Sequence, residues 1–131
     1  MNSASVRERS LTYHLALAAC RNGSANESLL NELIRATYLA WFLQGAGYGE
    51  EPNEIFKAAE YAVEITLARA HETGAYVLDN DALPIFETLL TLHDAQLARA
   101  PLHKVIGAER QLWAFLRGTA QSPLPESPST I

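Results

Sequence analysis

Residues 29–44 read LLNELIRATYLAWFLQ, and this stretch decides the fold. Its apolar residues recur at the spacing of an α-helix and form one main stripe: Leu30, Leu33, Ile34, Thr37, Tyr38 and Trp41. Further apolar residues extend around the rest of the helix: Leu29, Leu39, Phe42 and Leu43. A helix that is apolar nearly all round must be covered on several sides. We therefore predict that this helix is the centre of a bundle or contributes to a subunit interface.

Turn and cap signals divide the chain into five helical segments. Ser24 or Asn26 can cap the second helix, and Gly74 suits the C-terminal cap of the third. The run Asp79-Asn80-Asp81 is expected to cap the fourth helix. The predicted helices cover about residues 6–21, 25–44, 52–73, 82–99 and 102–117.

A change of helical phase at Pro101 separates the fourth helix from the fifth. One apolar face precedes the proline, with these members: Leu83, Phe86, Leu89, Leu90 and Leu97. Another follows it: Leu102, Val105, Ile106, Leu112, Trp113 and Leu116. The two faces would be offset by roughly 130° on one continuous helix, so a straight helix could not bury both in one core. We therefore predict a tight turn at residues 99–101.

The connections are short apart from a glycine-rich loop at 45–51, which favours antiparallel neighbours in an up-and-down arrangement. From Thr119 onward, three prolines and three serines in thirteen residues indicate disorder. The predicted fold is an all-α, five-helix, mostly antiparallel up-and-down bundle. Residues 1–118 form its single domain, and residues 119–131 form a disordered C-terminal tail.

Charge and hydropathy exclude two classes of partner. Ten lysine and arginine residues are scattered among fifteen acids, with a net charge of −5, so phosphate neutralisation cannot support nucleic-acid binding. The longest uncharged stretch, Ala36 to Gly49, has fourteen residues. About 20 apolar residues are needed to span a bilayer, so we expect no membrane-spanning helix.

Cys20 is the only cysteine, which excludes an intrachain disulfide and a thiolate zinc cluster and favours the cytoplasm. One alternative remains, because residues 17–20 resemble a bacterial lipobox that would anchor the chain to a membrane through Cys20. Against it, Thr12, Tyr13 and His14 make the preceding segment polar for a signal peptide. The same residues fit an amphipathic helix.

Two polar residues interrupt the apolar faces on either side of the turn. His93 and Glu109 each lie eight residues from Pro101, so in an antiparallel hairpin they would lie at the same level. A buried carboxylate needs a partner or a proton, which predicts a buried His93–Glu109 hydrogen bond. We interpret the pair as structural. The alternative is a small-ligand or weak acid–base site at this position.

No catalytic or metal-binding motif, and no cofactor, is predicted. The Glu-x-x-His sequence of carboxylate-bridged metal sites in bundles is absent. The leading hypothesis is a non-enzymatic bundle with a regulatory or adaptor role that acts through protein–protein contacts as a homodimer; a different protein partner is the second possibility. Excess apolar surface motivates it, and four residues are the expected interface: Trp41, Phe42, Tyr61 and Ile65.

Overall fold

The computed structural model describes residues 3–125, and its regular structure is helical. Five helices occur in this range: α1 (Ser3–Asn22), α2 (Glu27–Gly45), α3 (Asn53–Thr73), α4 (Leu83–Arg99) and α5 (Leu102–Arg117). The all-α, five-helix prediction is confirmed. In residues 3–125, no helix is both long enough and apolar enough to cross a membrane.

Helix α2 lies at the centre of the bundle, as its all-round apolar sequence predicts. It packs against each of the other four helices. Its buried residues point in several directions: Leu30, Leu33, Ala36, Thr37, Tyr38, Leu39, Ala40 and Leu43. The hydroxyl of Thr37 is satisfied inside this apolar helix because it donates to the Leu33 carbonyl at 2.9 Å. The remaining helices are therefore arranged around one core element.

The helix ends agree with the sequence at two caps and differ at a third. Asn26 caps α2, since its Oδ1 accepts the Leu29 backbone N–H at 2.9 Å. Gly74 ends α3 in the left-handed region at φ 77°. The predicted Asp79–Asp81 cap of α4 is wrong, because Ala82 precedes the helix and gives no side-chain cap. Asp79 instead accepts from Arg69 of α3 at 2.6 Å.

The break at Pro101 is confirmed, but α4 and α5 do not form a packed hairpin. Helix α4 ends at Arg99 and α5 begins at Leu102. Helix α5 packs mainly on α2 and makes few contacts with α4. The reason is the inner face of α5, where three residues are buried: Val105, Ala108 and Leu112. Burying this face on the central helix carries α5 away from α4.

Residues 119–125 contain no helix, yet two of them contact the bundle. The Ser122 hydroxyl donates to Glu60 Oε2 of α3 at 2.6 Å, and the Tyr38 hydroxyl of α2 donates to the same oxygen at 2.5 Å. Leu124 is buried. This part of the predicted tail therefore packs against the helices, and residues 126–131 of the predicted tail lie outside the described range.

Candidate functional site

His93 is buried, as predicted, and its partner is Gln96 on the same helix. The exposed fraction of His93 is 2%. The Gln96 amide nitrogen donates to the backbone carbonyls of Ala40 at 3.0 Å and Tyr48 at 2.8 Å. Its oxygen is therefore the acceptor, and the bond of 2.9 Å places a proton on His93 Nδ1. Burial lowers the pKa of His93, an effect that the Gln96 bond partly offsets, so the ring is neutral at pH 7.

Glu109 takes a different partner, so the predicted His93–Glu109 hydrogen bond is wrong. Its Oε1 lies 3.2 Å from Arg9 Nη2 of α1, and a third of its side chain is exposed. The equal spacing about Pro101 required α4 and α5 to pack along each other, whereas α5 packs on α2. Each polar group therefore bonds to a nearer partner.

A polar groove of about 310 Å³ separates α1 from α5 near this ion pair. Its lining residues are Glu8, Arg9, Thr12, Tyr13 and Glu109. His93 does not line the groove, although its ring lies 5.5 Å from that of Tyr13 between centroids. Burial, with the nearby carboxylates of Glu32 and Glu109, raises the pKa of Tyr13 to about 12. The phenol therefore keeps its proton at pH 7.

The polar groups around His93 and Glu109 are engaged in hydrogen bonds and ion pairs within and between helices. Arg9 and Glu109 form an ion pair, and the Nδ1–H of His93 donates to Gln96 Oε1. Asp94 of α4 adds a second link to α1, because it accepts from the Ser10 hydroxyl at 2.7 Å and from His14 Nε2 at 2.8 Å. The geometry thus does not bring His93 and Glu109 to a shared cavity.

The four predicted interface residues lie in two separate grooves. Trp41 and Phe42 are half-buried and line a groove of about 390 Å³ with Gln111 of α5. Tyr61, which is exposed, and Ile65, which is half-buried, line a groove of about 350 Å³ between α3 and α4. Their role in a protein contact stays a prediction.

Helix α5 carries an exposed apolar surface, whereas we predicted that these residues belong to the core. The face predicted for residues 102–116 divides in two. Val105 and Leu112 are buried, whereas Leu102, Trp113 and Leu116 are 48%, 53% and 43% exposed. With the half-buried Ile106 and Glu109, the exposed residues form what we call the outer stripe of α5: Leu102, Ile106, Glu109, Trp113 and Leu116. The sequence already separates this stripe from the inner face, because the two sets of residues lie at different angles around the helix axis.

A row of basic residues runs beside the outer stripe. His103, Arg110 and Arg117 recur every seven residues and are exposed. None of the ion pairs found in residues 3–125 involves them. Glu109 is the only acidic residue of α5, and Arg9 already pairs with it. The exposed side of α5 is therefore apolar and basic.

A metal centre has no candidate ligand set in the described part of the chain, where no three histidine, cysteine, aspartate or glutamate side chains cluster suitably. Comparison with known proteins gives no matching family model, no similar curated protein and no similar solved structure. We therefore infer a function from this chain's own surfaces.

Proposed function

We propose that this chain is a non-enzymatic helical bundle that works by binding another protein through the outer stripe of α5. The observation that supports the proposal is the exposure of Leu102, Trp113 and Leu116 on one side of one helix. Single exposed apolar residues are ordinary on protein surfaces, but several aligned on one side of one helix favour an interaction site. Tryptophan is also among the residues most enriched at the energetic centres of interfaces.

The enzymatic alternative has less support. An acid–base site near His93 and Glu109 needs both groups at one cavity, and His93 is buried against Gln96 instead. The polar groove between α1 and α5 offers a small ligand mainly the paired charges of Arg9 and Glu109. Binding there would have to break or desolvate that pair, which reduces the net gain.

We place this function in the cytoplasm, with a second copy of the chain as one of the candidate partners. The single cysteine forms no intrachain disulfide that would indicate an oxidising compartment. The lipoprotein alternative is less favoured, because cleavage before Cys20 would remove Ala16 and Leu17, both buried in the core.

Site-specific crosslinking in the producing cells tests the proposal. A photoreactive phenylalanine analogue replaces Trp113 in one variant and Leu11, a comparably exposed apolar residue of α1, in the control. We expect a discrete adduct from position 113 and none from position 11. An adduct of twice the chain's mass identifies self-association, and any other mass identifies a second protein. No adduct from position 113, or equal adducts from both positions, contradicts the proposal.

A further inference from the structure

We infer that the outer stripe of α5 receives one amphipathic helix of another protein, with acidic residues beside that helix's apolar stripe. This inference rests on the proposed function, because it identifies the partner of the same surface. It is carried by the spacing of the stripe, by the pairing of its one carboxylate and by the charges beside it.

The stripe has the spacing of a coiled-coil contact. Its members are separated alternately by four and three residues, from Leu102 through Ile106, Glu109 and Trp113 to Leu116. This is the a/d repeat by which one helix packs along another, with Ile106 and Trp113 at a and the others at d. The fifteen residues span about 21 Å at roughly 1.5 Å per residue, so the surface matches a partner helix of about four turns.

The carboxylate in the middle of the stripe is already compensated. Glu109 Oε1 lies 3.2 Å from Arg9 Nη2, so a partner helix meets a paired charge at this position, and the cost of covering it is the desolvation of an ion pair and not that of a lone carboxylate. The ion pair also bridges α1 and α5, which holds α5 against the bundle while its outer side is exposed. The stripe is therefore a pre-formed surface, which limits the conformational entropy lost on binding.

The charges beside the stripe specify the partner. His103, Arg110 and Arg117 occupy the e positions that follow the d residues. Residues at e and g set partner choice in coiled coils through their charges. The two arginines have no ion-pair partner in residues 3–125, and the chain as a whole is acidic at −5. Glutamate or aspartate at the facing positions of a partner helix would pair with them.

The same charges disfavour a second copy as the occupant. Antiparallel pairing of two α5 helices places e opposite e, which brings Arg110 and Arg117 against like charges. Parallel pairing places e opposite g, and the g positions of α5 are Val105 and Leu112, which are buried inside their own bundle. Neither arrangement supplies an acid to the basic row.

Two synthetic helical peptides test the inference with the full chain. Both carry leucine at a and d, and they differ only in glutamate or lysine at the flanking positions. Binding is measured by isothermal titration at low salt. We expect the glutamate peptide to bind at least about tenfold more tightly, since opposite charges at these positions attract and like charges repel. The double variant Arg110→Glu/Arg117→Glu should reverse the preference.

Two control variants separate the contribution of the basic row from that of the apolar stripe. Lys104→Glu makes a charge change of the same sign at an exposed residue of α5 away from the stripe, and should preserve the preference. Trp113→Ala removes the exposed apolar centre and should weaken both peptides. Far-UV circular dichroism checks that each variant keeps its helical content.

The outcomes distinguish the inference from the proposed function. Equal binding of both peptides overturns the inference of an acidic partner helix, but it does not contradict the proposal that the stripe binds a protein. A dimer in sedimentation that Trp113→Ala dissociates has the same two consequences. Binding to phosphatidylglycerol vesicles with no binding to either peptide overturns it in favour of a membrane surface. No peptide binding together with no crosslink from position 113 overturns both.

Discussion

Replacing Gln96 with leucine should destabilise the protein strongly, because this side chain connects three parts of the bundle. Its amide accepts from His93 and donates to the carbonyls of Ala40 in α2 and Tyr48 in the glycine-rich loop. Leucine fills a similar volume but makes none of these bonds. The change therefore tests the hydrogen bonds more than the packing.

The magnitude follows from the contacts. Three hydrogen bonds are lost. At about 1 kcal/mol net for each bond, the free energy of unfolding falls by about 3 kcal/mol. With a urea m-value of about 2 kcal/mol/M, the unfolding midpoint falls by about 1.5 M. The total stability of a domain is about 5–15 kcal/mol, so this is a large fraction of it.

Urea unfolding followed by circular dichroism measures the effect. Gln111→Leu is the matched control, because Gln111 is exposed and the same exchange should change stability by less than about 0.5 kcal/mol. A double-mutant cycle with His93→Leu should show coupling above about 0.5 kcal/mol. If Gln96→Leu changes stability no more than Gln111→Leu does, the hydrogen-bond network described here is wrong.

The remaining predictions concern a turn, a titration and the tail. Gly49→Ala should lower the melting temperature, because φ is +152° and a Cβ would lie 3.0 Å from a side-chain oxygen; Gly45→Ala, in open space at the end of a helix, should not lower it. Burial lowers the pKa of His93 in the folded state, so folding favours the neutral ring. The stability that the neutral ring contributes is complete above the pKa of the unfolded chain, and it is lost as pH falls from about 6.5 through the folded pKa. Urea midpoints of wild type and His93→Asn measured across this range should show a smaller loss in the variant, and equal losses would contradict the assignment. Leu124→Ala should lower stability by about 2 kcal/mol in urea unfolding, whereas the exposed Leu11→Ala should change it little, and equal effects would mean that the tail does not dock.

The sequence predicted those features of the fold that depend on composition and helical phase. The position of α2 followed from its apolar circumference, because a helix without a polar side has to be surrounded. The break at Pro101 followed from the phase difference between the two faces. Both are properties of one segment at a time, so no knowledge of how helices pack against each other was needed.

The pairing of polar groups depends on how helices pack, and there the sequence was insufficient. Equal spacing of His93 and Glu109 about the turn implied contact only if α4 and α5 packed along each other. Gln96 lies one turn after His93 and was a nearer candidate, since residues three apart on a helix are neighbours. Arg9 is 100 residues from Glu109, and no local pattern predicts a contact over that distance.

The glycine-rich connector between α2 and α3 has a consequence for natural variation in chain length. Loops with several glycines are usually the places where homologous proteins gain or lose residues. Here the side-chain amide of Gln44 makes two hydrogen bonds of 2.8 Å with the backbone of Glu51, and Gln96 binds the Tyr48 carbonyl. An insertion between Tyr48 and Glu51 would break these bonds. Residues 46–48 are held as well, because the backbone N–H groups of Ala46, Gly47 and Tyr48 donate to carbonyls in the last turn of α2. Length changes should therefore be rare throughout this connector, in spite of its glycines.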